Sequence, residues 1–353
     1  MRDPLLGLAN ATLKSIWSVS DALRRPATPP EPAAPLSLTV VDREVVAHDQ
    51  NVVAFTLGAT GGGPLPAWHP GAHLDINLPS GRIRQYSLCG DPASRTTYRI
   101  AVRRIPDGGG GSIEMHDGLP VGSTVTSHGP RNAFPLVVPG YGSPTTRLRF
   151  IAGGIGITPI LPMIGLAARL GADWSMIYVG RSADSIPFRD EVGRFGGRVE
   201  IRTDDIHGIP RGDDLLGECP DGTTVYACGP APMLTLVHER LIGRDDVELH
   251  FERFAAPPVV DGTPFTVTVA SLPAPIAVAA DETLLSALQR AGVGIPYSCR
   301  QGFCGTCRTR VIGVANGTVE HRDTLLTPPE HDGGMMLPCV SRATEDSTLS
   351  LDL

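Results

Sequence analysis

Ser298-Cys299-Arg300-Gln301-Gly302-Phe303-Cys304-Gly305-Thr306-Cys307 is the stretch on which the reading of this chain turns. Its three cysteines follow C-x4-C-x2-C, and with the distant Cys339 they have the plant-type ligand spacing of a 2Fe-2S cluster. Gly302 and Gly305 let the backbone curl tightly and approach the sulfurs. A zinc site usually draws its ligands as two close pairs, and a disulfide needs an oxidising compartment, so both fit this pattern less well. Cys299, Cys304, Cys307 and Cys339 are therefore the candidate metal ligands. Of the other cysteines, Cys89 and Cys228 sit among apolar neighbours and Cys219 in a turn, which reads as three buried, unreactive thiols.

The chain has 353 residues, 41% hydrophobic and 19% charged. That length is large for one core and predicts two or three domains of a globular protein. A net charge of −7 argues against a nucleic-acid partner. No apolar run approaches the ~18 residues of a membrane span. With no secretory signal, the cysteines point to the cytoplasm.

Working outward from the cysteine loop, 265–269 alternates as a strand, and Asp281 is placed to cap a helix bearing Leu284, Leu285 and Leu288 that ends at Gly292. Residues 264–353 thus read as a small α+β domain, preceded by a linker over 255–263. Upstream, 149–152, 176–179, 199–202 and 224–227 read as strands, with helices over 158–170 and 231–242. This is an α/β domain with a mostly parallel sheet over 144–254. Residues 36–143 show short alternating segments broken by Gly, Pro and Asp-Gly, which predict an antiparallel β-barrel. Residues 1–35 carry Leu5, Leu8, Leu13, Ile16, Trp17 and Leu23 at helical spacing and then a Pro-rich run. They read as an amphipathic helix on a stiff linker, which packs on a partner or the body or makes weak contact with a membrane surface through residues 5–23.

Two further sites carry chemistry. Arg84-Gln85-Tyr86-Ser87-Leu88 combines a cation, an aromatic hydroxyl and a small hydroxyl at a strand end, the set a flavin requires. Gly108-Gly109-Gly110-Gly111-Ser112 precedes a helical segment, and such a start can cradle a phosphate. Gly153-Gly154-Ile155-Gly156-Ile157-Thr158-Pro159 joins a strand to a helix, where a pyrophosphate can approach the backbone. It is not the dinucleotide fingerprint, since Pro159 replaces the third glycine and suits a first helical turn instead. Asp173 reads as a turn residue. Cys228-Gly229-Pro230 repeats the strand-turn-helix geometry, and both turns are expected to face one crevice at the carboxyl ends of the strands.

These motifs, together with 129–136 and Tyr226-Ala227-Cys228-Gly229-Pro230, occur in the order of the phthalate dioxygenase reductase family, whose members include vanillate demethylase reductases. The chain resembles that family from about residue 38 to its end. The resemblance implies a flavin-binding barrel, a Rossmann-like nucleotide domain of the ferredoxin-reductase type and a β-grasp plant-type ferredoxin. It implies the cofactors FMN and a 2Fe-2S cluster, with NADH as substrate. On that match Arg84, Gln85, Tyr86 and Ser87 hold the flavin, with Ala101, Val102 and Arg103 beside it and Gly110, Gly111 and Ser112 at its phosphate. Gly153, Gly154, Gly156, Thr158, Pro159, Cys228, Gly229 and Pro230 take the nicotinamide nucleotide. Arg181 and Ser182 follow the strand 176–179, where an arginine suits a 2′-phosphate, although relatives use this stretch for NADH. Ser87, Cys228 and Phe254 stand nearest the reacting atoms, Phe254 being the aromatic placed against the flavin.

NADH releases electrons as a pair and the cluster accepts them singly, so the flavin must stand between them. The expected function is an NADH-dependent reductase delivering electrons to a Rieske-type oxygenase. Acidic residues near the cluster, Glu320, Asp323, Glu330, Asp332, Glu345 and Asp346, would suit a basic docking face. The rival readings are an FAD-dependent reductase of the phenylacetate or steroid hydroxylase type, a flavin-linked reductase of quinones or ferric chelates, and a non-catalytic iron–sulfur carrier.

Overall fold

The computed structural model describes residues 35–49, 51–106, 110–127, 129–138, 145–254, 259–297, 300–302, 305–323 and 325–353. The helix expected over 5–23, Gly108, Gly109, Cys299 and Cys304 lie outside the described residues.

The first sheet contains β1 (Leu36–Ala47), β2 (Val52–Ala59), β3 (Ala72–Asn77), β4 (Ile83–Ser87), β5 (Thr97–Arg103), β6 (Thr124–Ser127) and β7 (Arg131–Asn132). Helix α1 (Gly111–Gly118) falls between β5 and β6. The strands pair antiparallel in the order β4-β3-β6-β1-β2-β5, with β7 beside β3. The expected barrel does not close into a ring of paired strands. Its end strands share one bridge, Leu88 to Ile100, continued by the Cys89 N–H donating to the Arg99 carbonyl at 2.8 Å. The reason is local: β4 is five residues long and runs out at Gly90-Asp91-Pro92, where proline has no N–H to extend a ladder.

The second sheet is parallel throughout, in the order β10 (Val199–Thr203), β9 (Trp174–Gly180), β8 (Arg147–Gly153), β11 (Thr223–Cys228), β12 (Glu248–Glu252). The central strands β8 and β11 are buried almost end to end, as strands covered on both faces must be. Helix α2 (Ile157–Arg169) and helix α3 (Ala231–Leu241) follow β8 and β11. Pro159 lies in the first turn of α2, where a missing N–H costs nothing. One apolar core runs through both sheets, joining Val52, Ala54, Ala101 and Phe134 to Phe150, Ile157, Tyr226 and Cys228. The two sheets therefore hold a fixed relation.

The third sheet orders β14 (Ile276–Val278), β13 (Phe265–Val269), β19 (Thr348–Leu351), β15 (Thr309–Ala315) and β17 (Met335–Met336). Its central pair, β13 and β19, is parallel and the outer pairs are antiparallel. Between β17 and β19 a short β18 (Arg342–Ala343) pairs with β16 (Val319–Glu320). Helix α4 (Leu284–Arg290) buries Leu284, Leu285 and Leu288 against this sheet, and α5 (Pro328–Asp332) precedes β17. Thr283, not Asp281, caps α4, its hydroxyl accepting from the Ser286 N–H at 3.1 Å. Both residues suit a cap, and Thr283 stands one residue before the first helical turn. Residues 260–263, expected as linker, are bound to this domain. Arg322 donates to the carbonyls of Val260 (2.7 Å) and Asp261 (3.2 Å), and the fully buried Arg342 donates to those of Thr263 (2.9 Å) and Ala279 (2.9 Å) and also to that of Glu282.

Candidate functional site

All five parallel strands end on one edge, which gathers the predicted nucleotide residues. Gly153, Gly154 and Gly156 follow β8, Arg181 and Ser182 follow β9, and Cys228, Gly229 and Pro230 follow β11. The two glycine turns press on one another. A Cβ on Gly156 would collide with the Cys228 carbonyl, and one on Gly153 would come within 2.7 Å of Pro230 Cδ. Gly154 has φ +52° and nothing within 4 Å of its added Cβ, so this turn is open to a ligand where its neighbours are closed. The Thr158 hydroxyl donates to the Ile155 carbonyl at 3.1 Å and Tyr178 to that of Gly154 at 2.9 Å, which fixes the turn. Asp173 is a turn residue before β9, its carbonyl accepting from Leu148 N–H at 2.9 Å.

On the first sheet, β4 presents Arg84, Gln85, Tyr86 and Ser87. The Arg84 side chain lies over Gly111 at the start of α1, where a Cβ would meet its guanidinium stem. Gly110 caps that helix at φ 75°. A cation and the first-turn N–H groups, which lack intrahelical partners, thus converge as a phosphate site requires. The Ser112 hydroxyl is engaged locally, accepting from Ile105 N–H at 3.0 Å. Ala101 and Val102 are buried on β5, which lies against the turn Gly154–Gly156. Arg103 ends that strand near Arg181 and Asp49. Burial and then the Arg181 charge lower its pKa.

Between these edges lies a pocket of about 130 Å³, lined by His73, Arg84, Ser87, Glu252, Phe254 and Gln301 among others. The Ser87 hydroxyl points to Glu252 Oε2 at 3.5 Å. Burial pushes the Glu252 carboxyl up to about 8. Burial, then the charge of Arg131, lowers His73 to about 4. Arg131 is paired instead with Asp75, which also accepts from Gln85 Nε2 at 2.9 Å. Phe254 is 48% exposed at the pocket rim, so it is not a core aromatic. Cys228 is the opposite, fully buried, with its thiol pKa pushed well up by burial and then by Glu252. Burial likewise pushes Cys89 up to about 12.

At the cysteine loop, Arg300, Gly302 and Gly305 have φ of 57°, 82° and 71°, all in the left-handed region. Cys307 and Cys339 are buried at 3% and 2% exposure. Two buried thiols beside residues with left-handed backbone suit iron–sulfur ligation, with Cys307 and Cys339 as the described half of the donor set. The loop reaches the crevice: Gln301 Nε2 donates to the Arg253 carbonyl at 2.8 Å. The acidic face is smaller than expected. Glu320 pairs with Arg322, Glu330 with Arg308, and Asp323 is buried, leaving Asp332, Glu345 and Asp346 exposed.

Sequence reading missed Glu252, His73, Asp75 and Arg131. Glu252 was in view, two residues before Phe254, but its burial comes from packing no spacing reveals. For the flavin, the polar trio with the α1 start fits; for the nicotinamide nucleotide, the open Gly154 turn fits.

A parallel five-stranded sheet, an antiparallel sheet packed beside it and a cysteine-loop domain define a ferredoxin-reductase fold joined to an iron–sulfur domain. The profile of the 2Fe-2S iron-sulfur cluster binding domain matches residues 267–344. The phenoxybenzoate dioxygenase subunit beta of Ectopseudomonas oleovorans is 37% identical over 324 residues, 90% of this chain and 98% of that protein. The solved phthalate dioxygenase reductase, a modular structure for electron transfer from pyridine nucleotides to 2Fe-2S, aligns with a TM-score of 0.68 at 33% identity, covering 91% of this chain and 98% of that one. Full-length CYP116B46 from Tepidiphilus thermophilus aligns at 35% identity with a TM-score of 0.66 over 94% of this chain, which spans 44% of that longer protein. The chain belongs to the phthalate dioxygenase reductase family. Among the described residues no helix is long and apolar enough to cross a membrane.

Proposed function

We propose that this chain is the NADH-dependent reductase of a multicomponent oxygenase, with FMN at β4 and α1, NADH at the glycine turns and a 2Fe-2S cluster at the four cysteines, delivering electrons to a Rieske-type terminal oxygenase. The observation that carries this reading is the pocket where Ser87, Glu252 and Phe254 meet Arg300 and Gln301, because the residues after Cys299 reach both edges that end in flavin and nicotinamide residues. A bound flavin supplies the conversion between the electron pair of NADH and the single electrons a cluster accepts.

The chain's own residues divide the remaining work. Arg84 and the α1 N-terminus attract one phosphate, which favours FMN because the rest of a dinucleotide flavin has no counterpart in this reading. Gln85, Tyr86, Ser87 and the β5 segment Ala101, Val102 and Arg103 orient the flavin. Gly153, Gly154, Gly156, Thr158, Pro159, Gly229 and Pro230 shape the nucleotide turn, with Arg181 and Ser182 at the ribose end. Glu252, its carboxyl pushed up to about 8 by burial, keeps its proton at neutral pH and so adds no negative charge beside Ser87. Cys228, protonated and buried, positions the nicotinamide by packing, and Phe254 covers the flavin from the rim. The division into 36–143, 144–254 and 264–353 is part of the same proposal, supported by each sheet lying within one segment.

The test is an anaerobic NADH titration of the purified protein followed by mass analysis of the released flavin. Flavin and iron–sulfur bands bleaching together with FMN released are expected; FAD released, or a cluster that NADH does not bleach, would overturn the reading. Replacing Cys304 or Cys307 by Ser should spare NADH-dependent ferricyanide reduction and abolish cytochrome c reduction.

A further inference from the structure

His321, Asp323 and His331 lie together in the C-terminal domain, with Asp323 beside Gly302 of the cysteine loop. Each offers one ligand atom, and these atoms lie within 4.8 Å of one another. The two imidazoles stack with centroids 3.6 Å apart and planes 17° from parallel. His331 Nε2 stands 3.4 Å from Asp323 Oδ1. The Asp323 side chain is fully buried and held from several directions: Ser341 Oγ donates to Oδ1 at 3.2 Å, and the N–H groups of Leu326 (2.8 Å) and Leu325 (3.3 Å) donate to Oδ2. His321 Nδ1 is buried and has no hydrogen-bond partner among the described residues.

We propose that these three side chains bind one divalent first-row transition cation of the zinc type. Two imidazoles and a carboxylate form a donor set that selects Zn²⁺, Co²⁺ or Ni²⁺ over the oxygen-seeking Ca²⁺ and Mg²⁺. Donors around a tetrahedral cation at about 2.0–2.1 Å stand roughly 3.4 Å apart, so the Asp323–His331 pair already has that spacing, and the His321 ring would turn out of its stack on His331 to bring its nitrogen to the same point. Ser341 and the Leu325 and Leu326 amides supply the outer hydrogen bonds that fix a ligating carboxylate. Burial, with the neighbouring His331 next, lowers the His321 pKa. Competing cations are occupied elsewhere: Arg322 holds Val260, Asp261 and Glu320, and Arg308 holds Glu330. A bound cation would tie the segment at 321–323, which touches Gly302 of the cysteine loop, to helix α5.

The test dialyses the flavin- and cluster-loaded protein against micromolar Zn²⁺ and measures zinc and iron together by elemental mass spectrometry. One zinc per chain beyond an unchanged iron content is expected, with affinity falling at least about tenfold in His321→Ala and in His331→Ala. His331→Gln, which keeps a polar side chain at a partly exposed position, covers the case in which an alanine variant fails to fold, and intact visible bands certify each protein. No zinc taken up by the parent, or variants that bind it as tightly as the parent does, would overturn the proposal.

Discussion

Along the carboxyl edge of the parallel sheet, Gly153, Gly156 and Gly229 bring backbone against backbone, whereas at the end of β4 the chain relies on the buried polar side chains of Ser87, His73 and Asp75, with the part-exposed Arg131 paired to Asp75. The first edge works by shape, since Gly153, Gly156 and Gly229 sit where a Cβ would collide. The second works by charge, since burial moves His73 down to about 4 and Glu252 up to about 8. On the proposed assignment, the nicotinamide side should therefore respond to added volume and be indifferent to pH, and the flavin side should respond to pH and tolerate isosteric change.

The hardest blow to this contrast comes from Gly156→Ala. Its methyl would strike the Cys228 carbonyl and part the two turns, and we expect NADH-dependent flavin reduction, followed by stopped flow, to fall about a hundredfold. Full activity in that variant would show that the tight packing does not shape the site. Arg84→Ala removes the cation over the α1 start and should weaken flavin retention by about tenfold to a hundredfold in equilibrium dialysis, with NADH affinity unchanged. Glu252→Gln keeps the shape and removes the titration. A smaller loss of turnover, under about tenfold, is expected, together with disappearance of an inflection near pH 8 in the ferricyanide assay. The sign for stability is fixed by the raised value: the folded carboxyl keeps a proton that the unfolded one loses above its ordinary range. Wild-type stability should thus fall as pH rises through the interval up to about 8, and the Gln variant should lack that slope in thermal melts. The mildest change is Arg181→Ala, for which a roughly threefold rise in KM for NADH is expected, as for an exposed charge.

The shape-built edge was legible in the sequence because glycine restricts what a turn can be: Gly153-Gly154-Ile155-Gly156 and Cys228-Gly229-Pro230 fall where strands end, and the sheet is parallel as read. The four-cysteine spacing was equally direct, and the profile match over residues 267–344 agrees with it. The charge-built edge was not legible. His73 meets Asp75 along β3, but Arg131 arrives from β7 and Glu252 from the end of β12, and their pairing depends on a fold spanning most of the chain. Closure of the first sheet was over-read for a related reason, since alternation reports which face is buried and not whether the last strand meets the first. The acidic face near the cluster was over-read because charge on the sequence does not show which carboxylates already have arginine partners.

Arg342 gives the C-terminal domain an unusual border. Its guanidinium is spent on the carbonyls of Thr263, Ala279 and Glu282, and Arg322 reaches back to Val260 and Asp261. In a chimera that transplants this iron–sulfur module onto another reductase, a junction placed at 264 would strip a buried cation of part of its acceptor set, whereas one placed before 259 would carry the whole clasp along. On the proposed division, the seam before the iron–sulfur module lies upstream of where the strand pattern begins, and it sets where recombination or engineering can cut without leaving a charge stranded.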